Sequence, residues 1–270
     1  EQNFANWYSF YRTRALLTMT GANLAFRQLD PSFRVAWQAL NSCRGFSGGN
    51  CNGLDNRLRP FDGAHRDNFF TWLQTQLPAS GGTPLREATQ RVGEYLDNTG
   101  IESPYAFQPG QDEQPLLACR SSFHVLMTDG IWNRPLSPTV GNVDGTTQSL
   151  PDGTQYNPNQ HEIYEDNNSN SVADLAFDLW SRDLQPGIDN ELTPFIADAE
   201  GSDAEQFWNP RNDPATWQHL VTFTVGLGLS TTLTSPPFTG GTFEGGFNDF
   251  NDGSAEWPSI FGNGAATGRV

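Results

Sequence analysis

Lysine is missing from this sequence altogether: every one of the 15 Lys-plus-Arg positions is arginine, against 31 aspartates and glutamates, for a formal net charge of -16. With no basic stripe to neutralise phosphates, a nucleic-acid-binding role is excluded. The acidic balance fits cation binding or a solvated surface. No apolar run is long enough to span a bilayer, and no charged-then-apolar leader opens the chain, so export would rely on a signal removed from it or lying outside it. Phosphate cradles are absent too: no GxGxxG follows a strand, and GxxxxGK[ST] does not occur. No GxSxG elbow supplies a hydrolase nucleophile. His65, His124, His161 and His219 are scattered, none beside a Cys or Ser at a catalytic spacing. Cysteine is scarce at three residues. Cys43 and Cys51 flank CRGFSGGNC, a spacing that suits a local disulfide and lacks the CxxC pairs of a zinc site. Two reduced structural cysteines are the alternative, and Cys119 is left over, to pair with something outside the chain.

What the sequence does have is aromatic anchors, with 8 Trp, 19 Phe and 6 Tyr set among loops rich in Gly, Pro, Asn, Asp and Thr. At 270 residues it fits one α/β domain with long insertions. Residues 3 to 28 read as one long helix, with Phe4, Trp7, Tyr8, Tyr11, Ala15, Met19, Ala22 and Ala25 or Phe26 forming a stripe expected to pack into the core. Asp30-Pro31 breaks it. Residues 33 to 40 alternate as a strand, 57 to 61 form a short strand, and 67 to 76 an amphipathic helix. In Gly81-Gly82-Thr83-Pro84-Leu85-Arg86-Glu87-Ala88, Thr83 suits an N-cap and Pro84 a first helical residue, with Leu85, Ala88, Val92 and Leu96 as the buried face. Segments near 99–118, 132–170 and 183–217 read as insertions, and 235–270 as a Gly-rich tail. Asp166 to Asn170 has the oxygen side chains of a calcium loop without its glycine and distal Glu, so it reads as the loop before a helix carrying Val172, Leu175, Ala176, Leu179 and Trp180. His219 to Gly228 is the last core strand. The order favours a doubly wound, mainly parallel sheet covered on both faces.

The most informative run is Cys119 to Pro135. Phe123 to Met127 reads as a buried parallel strand that ends at Thr128-Asp129-Gly130, and open α/β sheets place ligands at such carboxyl ends. A hydroxyl from Thr83 and a carboxylate from Asp129 at one sheet edge would be hard oxygen donors suited to Mg²⁺ or Mn²⁺. The run GGTPLREA, then FHVLMTDGIWN, then HLVTFTVGLG resembles the von Willebrand factor type A fold, with its Rossmann-like topology. That family takes a metal on a DxSxS motif, a Thr and an Asp from three loops, and Thr83 and Asp129 match the last two. The resemblance is closer to the amino-terminal A-domain of PilY-type proteins, also called PilC. It is carried by NFANWYSFYRTRALLTMTGANLAF, FHVLMTDGIWN, VGNVDG, SVADLAFDLWSRDLQP, HLVTFTVGLG and AEWPSIFGNG, which together span nearly the whole chain.

No DxSxS follows a strand here. Since PilY-like chains carry it well before the NFANWYS helix, the resemblance implies that the 270 residues begin inside the domain, without its first strand. It further implies a non-enzymatic adhesion and assembly module, extracellular at the tip of a bacterial type IV pilus. Mg²⁺, Mn²⁺ or Ca²⁺ would be its cofactor. Its partners would be minor pilins and other tip components, a carboxy-terminal β-propeller of the same protein, and a host or abiotic surface ligand. A metal-independent structural or force-bearing cap is one alternative; a secreted hydrolase using loop carboxylates is the other.

Overall fold

The computed structural model describes residues 1–49, 51–76, 81–111, 115–128, 131–132, 139–226, 246–255, 257 and 268–269. The chain divides into two compact units, one made of Glu1–Thr83 with Gly100–Pro115, the other of Pro84–Thr99 with Leu116–Val270.

The first unit opens with two helices, α1 (Gln2–Phe10) and α2 (Arg14–Arg27), where the apolar spacing predicts one. Thr13 divides them. Its backbone is extended and its hydroxyl accepts from the Leu16 amide, an N-cap in the middle of the stripe. The expected core face is also wrong in its first half: Phe4, Trp7, Tyr8 and Tyr11 are all exposed, and α1 buries no residue. The core starts only at Ala22, with Met19 and Phe26 against it. The expected strand over 33 to 40 shrinks to β1 (Arg34–Val35), paired antiparallel with β2 (Arg59–Pro60) and so not part of a parallel sheet. Val35 and Trp37 are buried as alternation requires, but beyond β1 the Trp37 carbonyl is taken by the side-chain amide of buried Asn56, at 2.8 Å, rather than by a strand. Helix α3 (Gly63–Gln74) closes the core with Phe69, Trp72 and Leu73. A disulfide joins Cys43 to the fully buried Cys51 beside that cluster.

The second unit is built on α4 (Leu85–Leu96), β3 (Ser122–Thr128), β4 (Ile131–Trp132), β5 (Gln148–Ser149) and β6 (Gln155–Tyr156). It continues through α5 (Val172–Ser181), α6 (Asp203–Phe207), β7 (Leu220–Gly226), α7 (Gly246–Asn251) and β8 (Gly268–Arg269). β3 and β7 pair in parallel from Ser122↔Leu220 to Thr128↔Gly226, the two runs read as core strands. β4 with β8, and β5 with β6, are two-residue antiparallel pairs. Leu85, Ala88 and Leu96 are buried as expected. α4 starts one residue later than Thr83 and Pro84 imply, because Pro84, with ψ 65°, stays outside the helical well and becomes the cap residue. α5 packs on both α4 and β7.

The parallel pair is not buried on both faces. Leu126, Thr128 and Leu220 face inward, whereas Phe123, Val125, Phe223 and Val225 are exposed, at 59%, 51%, 53% and 40%. Phe123, Val125 and Met127 with Val221, Phe223 and Val225 make the more apolar face, whereas the inward one mixes Leu126 and Leu220 with Ser122, His124, Thr128 and Thr222, so alternation alone points to burial of the side that stays exposed. The chain is mixed α/β, with a two-strand parallel sheet among the described residues.

Gly93 of α4 faces Leu179 of α5: a Cβ there would meet the Leu179 methyls, with its Cγ at 3.3 Å. Leu179 is only 3% exposed and cannot swing into solvent. Gly93→Ala is therefore expected to destabilise the chain by about 1–2 kcal/mol. Overpacking of about 1–3 kcal/mol outweighs the gain of about 1 kcal/mol in helix propensity, and urea midpoints would read the difference.

Candidate functional site

β3 delivers Thr128, itself buried, to the end of the parallel pair. Asp129 and Gly130 lie outside the described residues, and the chain is described again at Trp132, which is 1% exposed. Trp132 is roofed by Arg86 from the first turn of α4, whose guanidinium carbon lies 3.9 Å from the ring centroid. Arg86 is buried, so its charge is desolvated and its pKa lowered, with Glu87 opposing. Nη1 of Arg86 donates to the Asn170 carbonyl at 3.0 Å.

Asn170 in turn sits in the left-handed region, φ 62°, which a short polar side chain tolerates. Its side-chain oxygen accepts from the Gly141 amide at 2.9 Å, and its own amide donates back to the Gly141 carbonyl. Ser171 and Asp174 then close a reciprocal capping box on α5. Asp174 Oδ1 also accepts from the Val143 amide at 2.7 Å. Burial raises the Asp174 pKa despite these bonds. The helix start thus fixes the segment 141–145 in front of it.

Asp144 sits in that segment. It is 1% exposed, and neither carboxylate oxygen has a hydrogen-bond partner or reaches solvent. Burial, then the charges of Asp174, Asp166 and Glu165, push its pKa up to about 8; the nearby Asp166 amide opposes this without reaching hydrogen-bond geometry. The Asp144 main-chain carbonyl accepts from the Tyr156 hydroxyl, whose pKa burial raises. Asp166 is 9% exposed, and its Oδ1 accepts from the Asn168 amide at 2.6 Å, so 166–170 is a loop leading into α5, as its sequence implies.

Thr83 is half-buried at the end of the first stretch of the first unit. With Asp129 outside the described residues, the structure neither joins these two candidate ligands nor separates them. Among the described residues no three His, Cys, Asp or Glu side chains converge to hold a metal. A threonine hydroxyl by itself is too weak a donor to hold a divalent ion. Sequence reasoning missed Arg86, Trp132 and Asp144. Only the S-x-x-D spacing of Ser171 and Asp174 was a readable signal for this layer.

The chain is 51% identical over 265 residues, 97% of its length, to the type IV pilus biogenesis factor PilY1 of Pseudomonas aeruginosa strain PAK. This chain is PilY1-like almost from end to end. PilY1 of strain PAO1 is 51% identical over 269 residues, and that of strain UCBPP-PA14 is 48% identical over 275 residues, 100% of the chain. The chain spans only 22–23% of the length of these PilY1 relatives. No family model matches it, and no solved structure does. No helix among the described residues is long and apolar enough to cross a membrane.

Proposed function

We propose that this chain is a non-enzymatic assembly and adhesion module of a type IV pilus, with a von Willebrand factor A-like fold, working outside the cell at the pilus tip. The observation that carries the reading is the 51% identity to PilY1 over 97% of the chain. The parallel β3/β7 pair with α5 packed on it, and α4 following a Gly-Gly-Thr loop, support the A-like fold. In this reading Asp129 and Thr83 are oxygen ligands of Mg²⁺, or of Mn²⁺ or Ca²⁺, completed by donors from the rest of the protein. Its partners are minor pilins and other tip components, a β-propeller of the same protein, and a ligand on a host or abiotic surface.

The test is made in the full-length protein in piliated cells. Asp129→Ala is expected to leave pili on the surface but lower both divalent-cation affinity and surface attachment by about tenfold or more, since even outer-shell partners of metal sites are worth 10- to 100-fold. Thr83→Ser, which keeps the hydroxyl, is expected to be nearly silent. Unchanged attachment with Asp129→Ala would leave a metal-independent cap. Normal piliation and attachment after deletion of the whole segment would overturn the assignment itself.

A further inference from the structure

The polar layer in front of α5 contains one carboxylate that the fold does not use. Asp174 is fully engaged: Oδ2 accepts from the amide and the hydroxyl of Ser171 at 2.8 and 2.9 Å, and Oδ1 from the Val143 amide at 2.7 Å. Asp166 spends Oδ1 on the Asn168 amide and its main-chain carbonyl on the Asn142 side chain. Asp144 spends neither oxygen, although both are sealed from solvent. The side-chain charges that bear on it most, Asp174, Asp166 and Glu165, are all negative.

An ionised carboxylate buried with no counterion is among the costliest things a fold can contain. It can be relieved by a proton or by a cation. A proton would turn Asp144 into a donor that still needs a buried acceptor, and would do nothing to offset the negative charge that Asp174 and Asp166 bring to it. A cation answers both needs.

We propose that Asp144 anchors a Ca²⁺ site in front of α5, with Asp166 as the second carboxylate and amide and main-chain oxygens of the flanking loops completing the shell. Calcium takes six to eight oxygens at flexible geometry, many of them carbonyls, so it needs no triad of carboxylates. Mg²⁺ fits worse, because it gives up its waters reluctantly and Asp144 is shut off from solvent. The site shares no residue with Thr83 or Asp129.

The purified chain, stripped with chelator, is titrated with Ca²⁺ by calorimetry and melted with and without the ion. The wild type is expected to bind about one Ca²⁺ at this site and to melt higher in its presence. Asp144→Asn should abolish that heat and shift, and Asp166→Asn should weaken binding about tenfold or more. Asp129→Ala should leave both intact, which separates this site from the proposed strand-end metal. Should Asp144→Asn fail to fold, Asp166→Asn carries the test. Ca²⁺ binding that survives Asp144→Asn and is lost in Asp129→Ala overturns the proposal. So does a wild type that ignores Ca²⁺ and loses stability as pH rises from about 4 to about 8 while Asp144→Asn does not. Asp144 would then be a neutral acid among Asp166, Asp174, Glu165 and Tyr156.

Discussion

Asp213→Ala is expected to cost the fold about 1–3 kcal/mol, the penalty for leaving buried polar groups without their acceptor. His219, at the entry to β7, is 2% exposed. Its Nε2 lies 3.0 Å from Asp213 Oδ2 and its Nδ1 2.7 Å from the Trp217 carbonyl. Each ring nitrogen thus faces one oxygen acceptor. Asp213 also accepts from the Trp180 indole at 3.2 Å, and its backbone bridges to Phe195. Without the carboxylate, the buried ring nitrogen and the Trp180 indole N–H both lose their partner. Burial works against ionisation of Asp213, but the hydrogen bond and charge of His219, with Trp180 and the Ala215 amide, outweigh it and hold the carboxyl below its usual range. A depressed carboxylate pKa adds stability that is present above the unfolded value, near pH 4, and is lost as pH falls through the folded one. Denaturant titrations at neutral pH and in acid should therefore show the wild type losing its advantage over Asp213→Ala as the pH drops. An equal gap at both would dismiss the pair as its source.

Phe69→Ala should cost more, about 3–5 kcal/mol, in the first unit. Phe69 is 4% exposed, and its ring centroid lies 4.8 Å from Phe26, 5.5 Å from Trp37, 5.4 Å from Phe61, 5.3 Å from Phe70 and 5.7 Å from Trp72. Every other ring in this cluster leans on it. Truncation removes the shared surface and leaves a cavity that five large, stiff side chains cannot all collapse into. Phe69→Leu keeps most of the volume and should cost about 1.5 kcal/mol or less. Near-ultraviolet circular dichroism would follow the loss of fixed ring packing alongside the urea midpoint.

Features written in local periodicity could be read from the chain, and features that depend on distant partners could not. Leu85, Ala88 and Leu96 mark the buried side of α4 at helical spacing, and Leu175 and Leu179 do the same for α5; both helices are there. The apolar runs of β3 and β7 were equally plain, yet alternation points to burial of Phe123 and Phe223, which stay exposed. Thr13 is a good helix former's interruption only because its hydroxyl turns back to Leu16. Of the site, Asp129 stood out because it follows an apolar run in the sequence, whereas Asp144 looked like an ordinary turn aspartate in VGNVDG. Its burial is imposed by Tyr156, Asp166 and the start of α5, 12 to 30 residues away along the chain.

Cys119 has a practical consequence. The sequence contains three cysteines, and two of them are locked in the Cys43–Cys51 disulfide, whose Cys51 is fully buried. That leaves one exposed thiol, three residues ahead of the start of β3. A maleimide dye applied without reductant would attach once per molecule, giving an optical reporter at the doorway of the parallel pair with no engineered residue.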